Sequence, residues 1–127
     1  MLEINNLTRT QVDNGFLKKT ASLVLDKEKA KDKDISLAFV GQERIQELNN
    51  KYRGKNKATD ILTFSDEIVI CLSQVKKNAK TYGFTFKKEL TRALIHGLLH
   101  VLGYDHEKTK KEAQAMQRKE EEYLAIL

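Results

Sequence analysis

Leu94-Ile95-His96-Gly97-Leu98-Leu99-His100-Val101-Leu102-Gly103-Tyr104-Asp105-His106-Glu107 holds all three histidines of the chain. Thr85 upstream is a candidate N-cap, followed by Glu89. Phe86, Leu90, Leu94 and Val101 then form an apolar stripe, so the region predicts one central helix around which the rest packs. His96 and His100 are four apart, and on a helix such residues share a face with Cβ atoms roughly 6 Å apart. That spacing lets two imidazoles converge on one metal ion at about 2.0–2.1 Å. Gly103 can take the left-handed conformation that ends a helix, which turns the chain back and offers His106 as a third ligand. The expectation is a three-histidine zinc site (one ion) with its fourth position left to water. Imidazole suits zinc and nothing here argues for redox chemistry. Structural zinc sites close with four protein ligands, often cysteines, whereas the only cysteine, Cys71, reads as a small buried residue on a distant strand.

Working outward, Asp34–Val40 alternates Ile35, Leu37 and Phe39 and is the clearest strand. Leu2–Ile4 reads as a short edge strand. Asp60–Phe64 and Glu67–Cys71 are two more, joined by a tight Ser65-Asp66 connection. Helical patterns run over about Gln11–Leu25, Gln42–Tyr52, Leu72–Tyr82 and Lys110–Leu127, the last with Ala113, Met116, Tyr123 and Ile126 as its inner face. The fold class is α+β: a small mixed sheet of about four strands packed with helices, one domain over residues 1–127.

The composition agrees. Of 127 residues, 40% are apolar and 32% charged, which suits a globular domain with a real core. No apolar run approaches the roughly 20 residues of a membrane span, and the N-terminus has no signal pattern. One cysteine excludes an internal disulfide framework and fits a reducing cytoplasm. The net charge of +5 is unevenly spread: residues 1–50 balance, residues 51–92 carry ten basic and four acidic groups, and residues 93–127 sum to −1. A basic segment leading up to the histidines points to a polyanion partner, or else only to lysines solvating exposed faces.

The spacing His-x3-His-x2-Gly-x2-His is also that of the metzincin proteases, where the residue after the first histidine is a glutamate acting as base. Here it is Gly97, which takes no proton and is expected to leave room beside the site for a large substrate. The basic loop Lys51–Thr59 offers Arg53, a rigid fork suited to phosphate, together with Lys51, Lys55 and Lys57 as phosphate contacts. Water activated by the metal is then placed to attack phosphorus while Arg53 meets the developing charge. Asp60, Glu89 and Asp105 are the carboxylates near these motifs. Asp60 and Asp105 are candidates for orienting a histidine from behind.

Four segments together, Leu48-Asn49-Asn50-Lys51-Tyr52-Arg53, Thr59-Asp60-Ile61-Leu62-Thr63-Phe64, Glu67-Ile68-Val69-Ile70 and His96–His106, resemble the YbeY family, and the resemblance runs in order through essentially the whole chain. It implies a bacterial rRNA maturation factor and single-strand-specific endoribonuclease with a small mixed sheet and helices around it. It places zinc on His96, His100 and His106 and makes Arg53 functionally required. It implies 16S rRNA 3′-end processing on the small ribosomal subunit and a part in ribosome quality control. The chain departs from the family pattern where Ala58 and Ser65 replace prolines and where Asp66-Glu67 replaces Gly-Asp, all in the loops flanking the expected groove.

Two other classes fit parts of the sequence. One is a non-catalytic rRNA- or ribosome-binding assembly factor with a structural metal, which the basic segment suits equally well. The other is a metallohydrolase acting on a non-nucleic substrate, which the protease-like spacing favours and Gly97 opposes. Water and a ribose 2′-hydroxyl both remain open as the nucleophile.

Overall fold

A computed structural model describes residues Met1–Leu127. The elements run β1 (Leu2–Asn6), α1 (Asn14–Lys27), β2 (Ile35–Val40), α2 (Gln42–Arg53), β3 (Ile61–Phe64), β4 (Glu67–Cys71), α3 (Leu72–Tyr82), α4 (Phe86–Val101) and α5 (Lys110–Ala125). The sheet order is β1-β2-β4-β3. β1, β2 and β4 are parallel, and β3 returns antiparallel on β4 through the Ser65-Asp66 turn. Ser65 takes φ +51° there. A proline ring holds φ near −65°, so Ser65 takes a backbone here that proline could not.

Successive strand side chains point to opposite faces, and the core divides accordingly. Leu37, Phe39, Ile68 and Ile70 join the larger apolar cluster with α1, α3 and α4. Val40, Leu62, Val69 and Cys71 form a smaller cluster with Ile45 of α2 on the other face. Cys71 is fully buried there, as expected. α4 is the central element: Leu94, Ile95, Leu98 and Leu99 are all buried. Its first turn is capped by the Thr85 hydroxyl accepting from the Lys88 amide at 3.1 Å. α1 begins at Asn14 rather than Gln11 because Asp13 caps it, accepting from the Phe16 amide at 3.0 Å. In α5, Met116 and Tyr123 are buried, but Ile126 is 54% exposed because the helix has already ended at Ala125.

Gly97 faces the sheet, not the solvent side of the helix. A Cβ there would lie 2.8 Å from Ile61 Cδ1 and 3.0 Å from Ile68 Cγ2. The glycine therefore lets α4 sit close on β3 and β4, and it does not open room for substrate. Adjacent helical residues are rotated by about 100°, so His96 and Gly97 serve different faces. Gly97→Ala gains about 1 kcal/mol of helix propensity. Against this stands an overpacking cost of about 1–3 kcal/mol. Ile61 Cδ1 can swing away, but the buried, β-branched Ile68 has one stiff χ1. A net loss of about 1 kcal/mol is expected, read as a fall of about 3–5 °C in Tm.

Candidate metal centre

α4 delivers His96 and His100 on its solvent side. The helix closes with the Gly103 amide donating to the His100 carbonyl at 3.0 Å and the Tyr104 amide to the Leu99 carbonyl at 3.0 Å. Gly103 has φ +105°, a backbone that disfavours any side chain. The turn it makes carries His106 back over the helix end. The ring centroids of the three imidazoles are 4.8 Å apart (His96–His100), 5.1 Å (His96–His106) and 4.8 Å (His100–His106). A ring nitrogen from each lies within 4.8 Å of the others, and His100 Nε2 faces His106 Nδ1 at 2.8 Å. Three imidazoles whose ring nitrogens converge this closely are a donor set that fits a transition metal ion.

The group behind His96 is Glu120 of α5, buried and in contact with His96 Nδ1. A carboxylate there accepts the Nδ1 proton, fixes the tautomer and leaves Nε2 as the free lone pair. His106 is held differently. The Asp105 carboxylate accepts from the Glu107 amide at 2.9 Å, which shapes the turn. The neighbouring Tyr104 hydroxyl donates at 2.7 Å to Glu28 of the α1 C-cap. Glu28 also accepts from the Tyr123 hydroxyl and pairs with Lys119 at 3.4 Å. Burial alone would raise the Glu28 carboxyl, but hydrogen bonds from Tyr123 and Tyr104, with Lys119 beside them, bring it below its usual value. Burial and the Glu28 carboxylate push Tyr104 up to about 12. The ligand-bearing turn is thus tied to α1 and α5 at once.

Burial, with the neighbouring His96 and His106, holds His100 below its ordinary value of 6.5; Asp105 and Glu107 oppose this more weakly. The neutral, ligating imidazole is therefore favoured. The unfolded His100 takes a proton at 6.5 while the folded one resists. The metal-free fold then has its full share of this stability above pH 6.5 and loses it as pH falls through the folded-state value. Metal affinity is expected to drop on going from neutral pH to about pH 5, as protons compete for the rings. Metal-binding titrations at the two pH values check this.

The cluster opens on a hollow of about 720 Å³ whose lining includes Tyr52, Arg53, Asp60, Phe64, Asp105 and Glu107. Arg53, at the last position of α2, reaches across to Glu107: Nη2 lies 3.1 Å from Oε1, and the same oxygen is 3.8 Å from His106 Nε2. The fold therefore brings Arg53 to the edge of the histidine cluster from 43 residues upstream of His96. The Arg53 and Glu107 side chains are 41% and 62% exposed. Such a pair contributes little to stability, so a phosphate can take Glu107's place on the guanidinium. Tyr52 and Phe64 form a tilted aromatic pair at 4.8 Å on the same hollow.

A family model described as endoribonuclease YbeY matches residues 3–127. The chain belongs to the YbeY endoribonuclease family. A protein named endoribonuclease YbeY from Thermodesulfovibrio yellowstonii is 46% identical over 105 residues, 73% of this chain and 66% of that protein. One of the same name from Nautilia profundicola is 38% identical over 136 residues, 100% of this chain and 91% of that protein. The solution structure of TM1509 from Thermotoga maritima matches with a TM-score of 0.76 at 34% identity, over 98% of this chain and 87% of that one. The four-stranded mixed sheet with five helices is thus the fold of a solved relative as well as the one the YbeY resemblance implied.

Within this YbeY domain the expected residues sort by position. His96, His100, His106 and Arg53 come together. Lys51, Lys55 and Lys57 are exposed and lie outside the lining of the hollow. Lys51 is on α2 rather than in the loop, with Nζ 5.2 Å from the Tyr52 ring. Asn49 Nδ2 donates to the Lys57 carbonyl at 2.9 Å and holds that loop to α2. Asp60 lines the hollow but hydrogen-bonds no histidine; its oxygens take Thr59 Oγ1 at 3.5 Å and Asn78 Nδ2 at 3.3 Å. Asp105 does not orient a histidine ring either, because its carboxylate closes its own turn. Glu89 is fully buried and bound by both Arg92 Nε and Nη2, at 2.9 and 2.7 Å, so it is not free for catalysis. The sequence reading missed Glu120, Glu107 and Glu28. A signal existed for Glu120: it falls on the stripe of Ala113, Met116 and Tyr123, where a carboxylate is out of place unless it has a partner.

Proposed function

We infer that this chain is a zinc-dependent, single-strand-specific endoribonuclease acting in the cytoplasm in 16S rRNA 3′-end maturation and ribosome quality control. The observation that carries the reading is the convergence of three imidazoles with Arg53 on one hollow, in a member of a family named for RNA cleavage. A zinc ion held by His96, His100 and His106 would supply Lewis acidity and lower the pKa of water near it. Glu120 sets the His96 tautomer beforehand. Arg53 exchanges Glu107 for a phosphate oxygen and stands where charge builds on the phosphoryl group. Tyr52, exposed beside Arg53, offers a face for an unpaired base. Lys51, Lys55 and Lys57 draw the polyanion toward the rim. No helix is long and apolar enough to cross a membrane.

The test is incubation of purified protein with single-stranded RNA, duplex RNA and a peptide, with and without chelator, followed by analysis of the RNA ends. Chelator-sensitive cutting of single-stranded RNA alone is expected. A 2′,3′-cyclic phosphate end would identify the ribose hydroxyl as nucleophile. RNA binding without any cutting would favour the assembly-factor reading instead. Arg53→Ala is expected to lower cutting about 100-fold, of the order seen when one donor to a developing charge is removed, with metal content unchanged. Unaltered cutting would remove Arg53 from the mechanism.

A further inference from the structure

The chain's surplus positive charge is not where Arg53 is. Residues 51–71 carry four basic and three acidic groups, whereas residues 72–92 carry six basic and one acidic. The one acid, Glu89, binds Arg92 through Nε and Nη2 and offsets its charge, leaving Nη1 as that side chain's unengaged edge. This segment is α3 and the first half of α4; of its six basic groups, Lys76 and Lys87 lie against the Phe86 and Phe16 rings, and two, Lys88 and Arg92, lie beside the histidines. There a second groove of about 560 Å³ runs between α4 and α5, sharing His96 and His106 with the first hollow. Lys88, Arg92 and His96 stand at four-residue steps along α4, each turned about 40° from the last, and all three line the groove. Phe84 lies just off the helix start in the same line, with Lys88 Nζ 4.1 Å from its ring centroid. Phe84 is 37% exposed and Tyr82, at 6.1 Å from it, 56%. The opposite wall is α5, with Leu124 and the buried Met116 as its apolar part and Glu120, in contact with His96, and Glu121 as its carboxylates. One wall is basic with an aromatic end, and the other is apolar and acidic.

We propose that this groove holds the continuation of a single RNA strand past the phosphate presented to the histidines, with the phosphate chain along Lys88 and Arg92 and a base stacked on the Phe84–Tyr82 platform. The proposal rests on the endoribonuclease reading above. Charge decides the orientation: Glu120 and Glu121 repel phosphate, so the backbone keeps to α4 and the bases turn toward Leu124. Aromatic faces beside cations take any unpaired base and reject a stacked duplex. The substrate then straddles the cluster, with the Arg53 hollow on one side of the cut and this groove on the other.

The experiment compares binding of a labelled tetranucleotide and a labelled dodecamer of single-stranded RNA to the full chain, with chelator present to prevent cutting. The dodecamer is expected to bind the wild type more tightly. Phe84 also closes the end of α3, its amide donating to the Ala79 carbonyl at 2.8 Å, so Phe84→Leu is used to keep the apolar contact while removing the aromatic face. Phe84→Leu is expected to weaken dodecamer binding about tenfold, to leave the tetranucleotide unchanged, and to be rescued by Phe84→Tyr. Lys88→Ala is expected to flatten the salt dependence of log Kd by about 0.7. A 4-thiouridine dodecamer is expected to crosslink to the peptide carrying Tyr82 and Phe84. Wild-type dodecamer affinity in both variants, with no crosslink there, would overturn the groove. If the wild type with metal restored still cuts RNA, the endoribonuclease reading survives that result; if it neither binds nor cuts RNA, that reading fails first.

Discussion

His100→Ala is expected to abolish metal retention and to lower RNA cutting about a thousandfold or more, while the fold persists. The size follows from losing a Lewis acid that contributes several kcal/mol at the developing charge. The fold persists because His100 is only partly buried and points away from the core, which Leu98 and Leu99 hold from the other side of the helix. It is a cleaner substitution than His96→Ala, which would also leave the Glu120 carboxylate buried with no partner, a costly state for an ion. The check is metal content by elemental analysis, cutting rate, and Tm on the same preparation. A variant that still binds one metal ion and cuts at the wild-type rate would remove His100 from the site.

Glu120→Ala is expected to weaken metal affinity about 10–100-fold, the usual effect of removing a carboxylate from behind a ligating histidine. Without Glu120, His96 is free to rotate and to place its proton on either nitrogen, so part of the binding energy is lost to ordering it. Glu120→Gln keeps an oxygen that accepts from Nδ1 and is expected to fall between alanine and the wild type. Competition titration against a chromophoric chelator separates the three proteins. If all three bind metal alike, Glu120 is a packing residue whose contact with His96 does not concern the metal.

These two residues mark how far a sequence reading reaches. The histidines were legible because a helix converts spacing directly into geometry, and Gly103 makes the return turn locally. The strands were legible, β1 and β2 from alternation and β3 and β4 as two runs either side of the tight Ser65-Asp66 connection. Arg53 was legible as chemistry, but its approach to His106 through Glu107 depends on how α2 sits on the sheet, which no local pattern encodes. Glu120 and Glu28 lie on other helices, 24 and 76 residues from the side chains they hold, so only packing brings them in. Gly97 shows the converse: adjacency to His96 suggested an opening at the site, but helical rotation turns the position into the sheet, where Ile61 and Ile68 leave no room. The basic segment was legible as a charge excess. Most of that excess falls on residues 72–92 by count alone, and only the fold shows that Lys88 and Arg92 among them share a groove with His96 and His106.

The most direct test of the metal-centred account is a single titration. Protein stripped by chelator is mixed with single-stranded RNA, and zinc is added back in steps while the cutting rate and bound metal are followed together. The account predicts no cutting in the stripped protein and a rate that rises with bound zinc and levels off at one ion per chain. Cutting by the stripped protein at the full rate, or a full complement of bound zinc with no cutting of any single-stranded RNA, would contradict it.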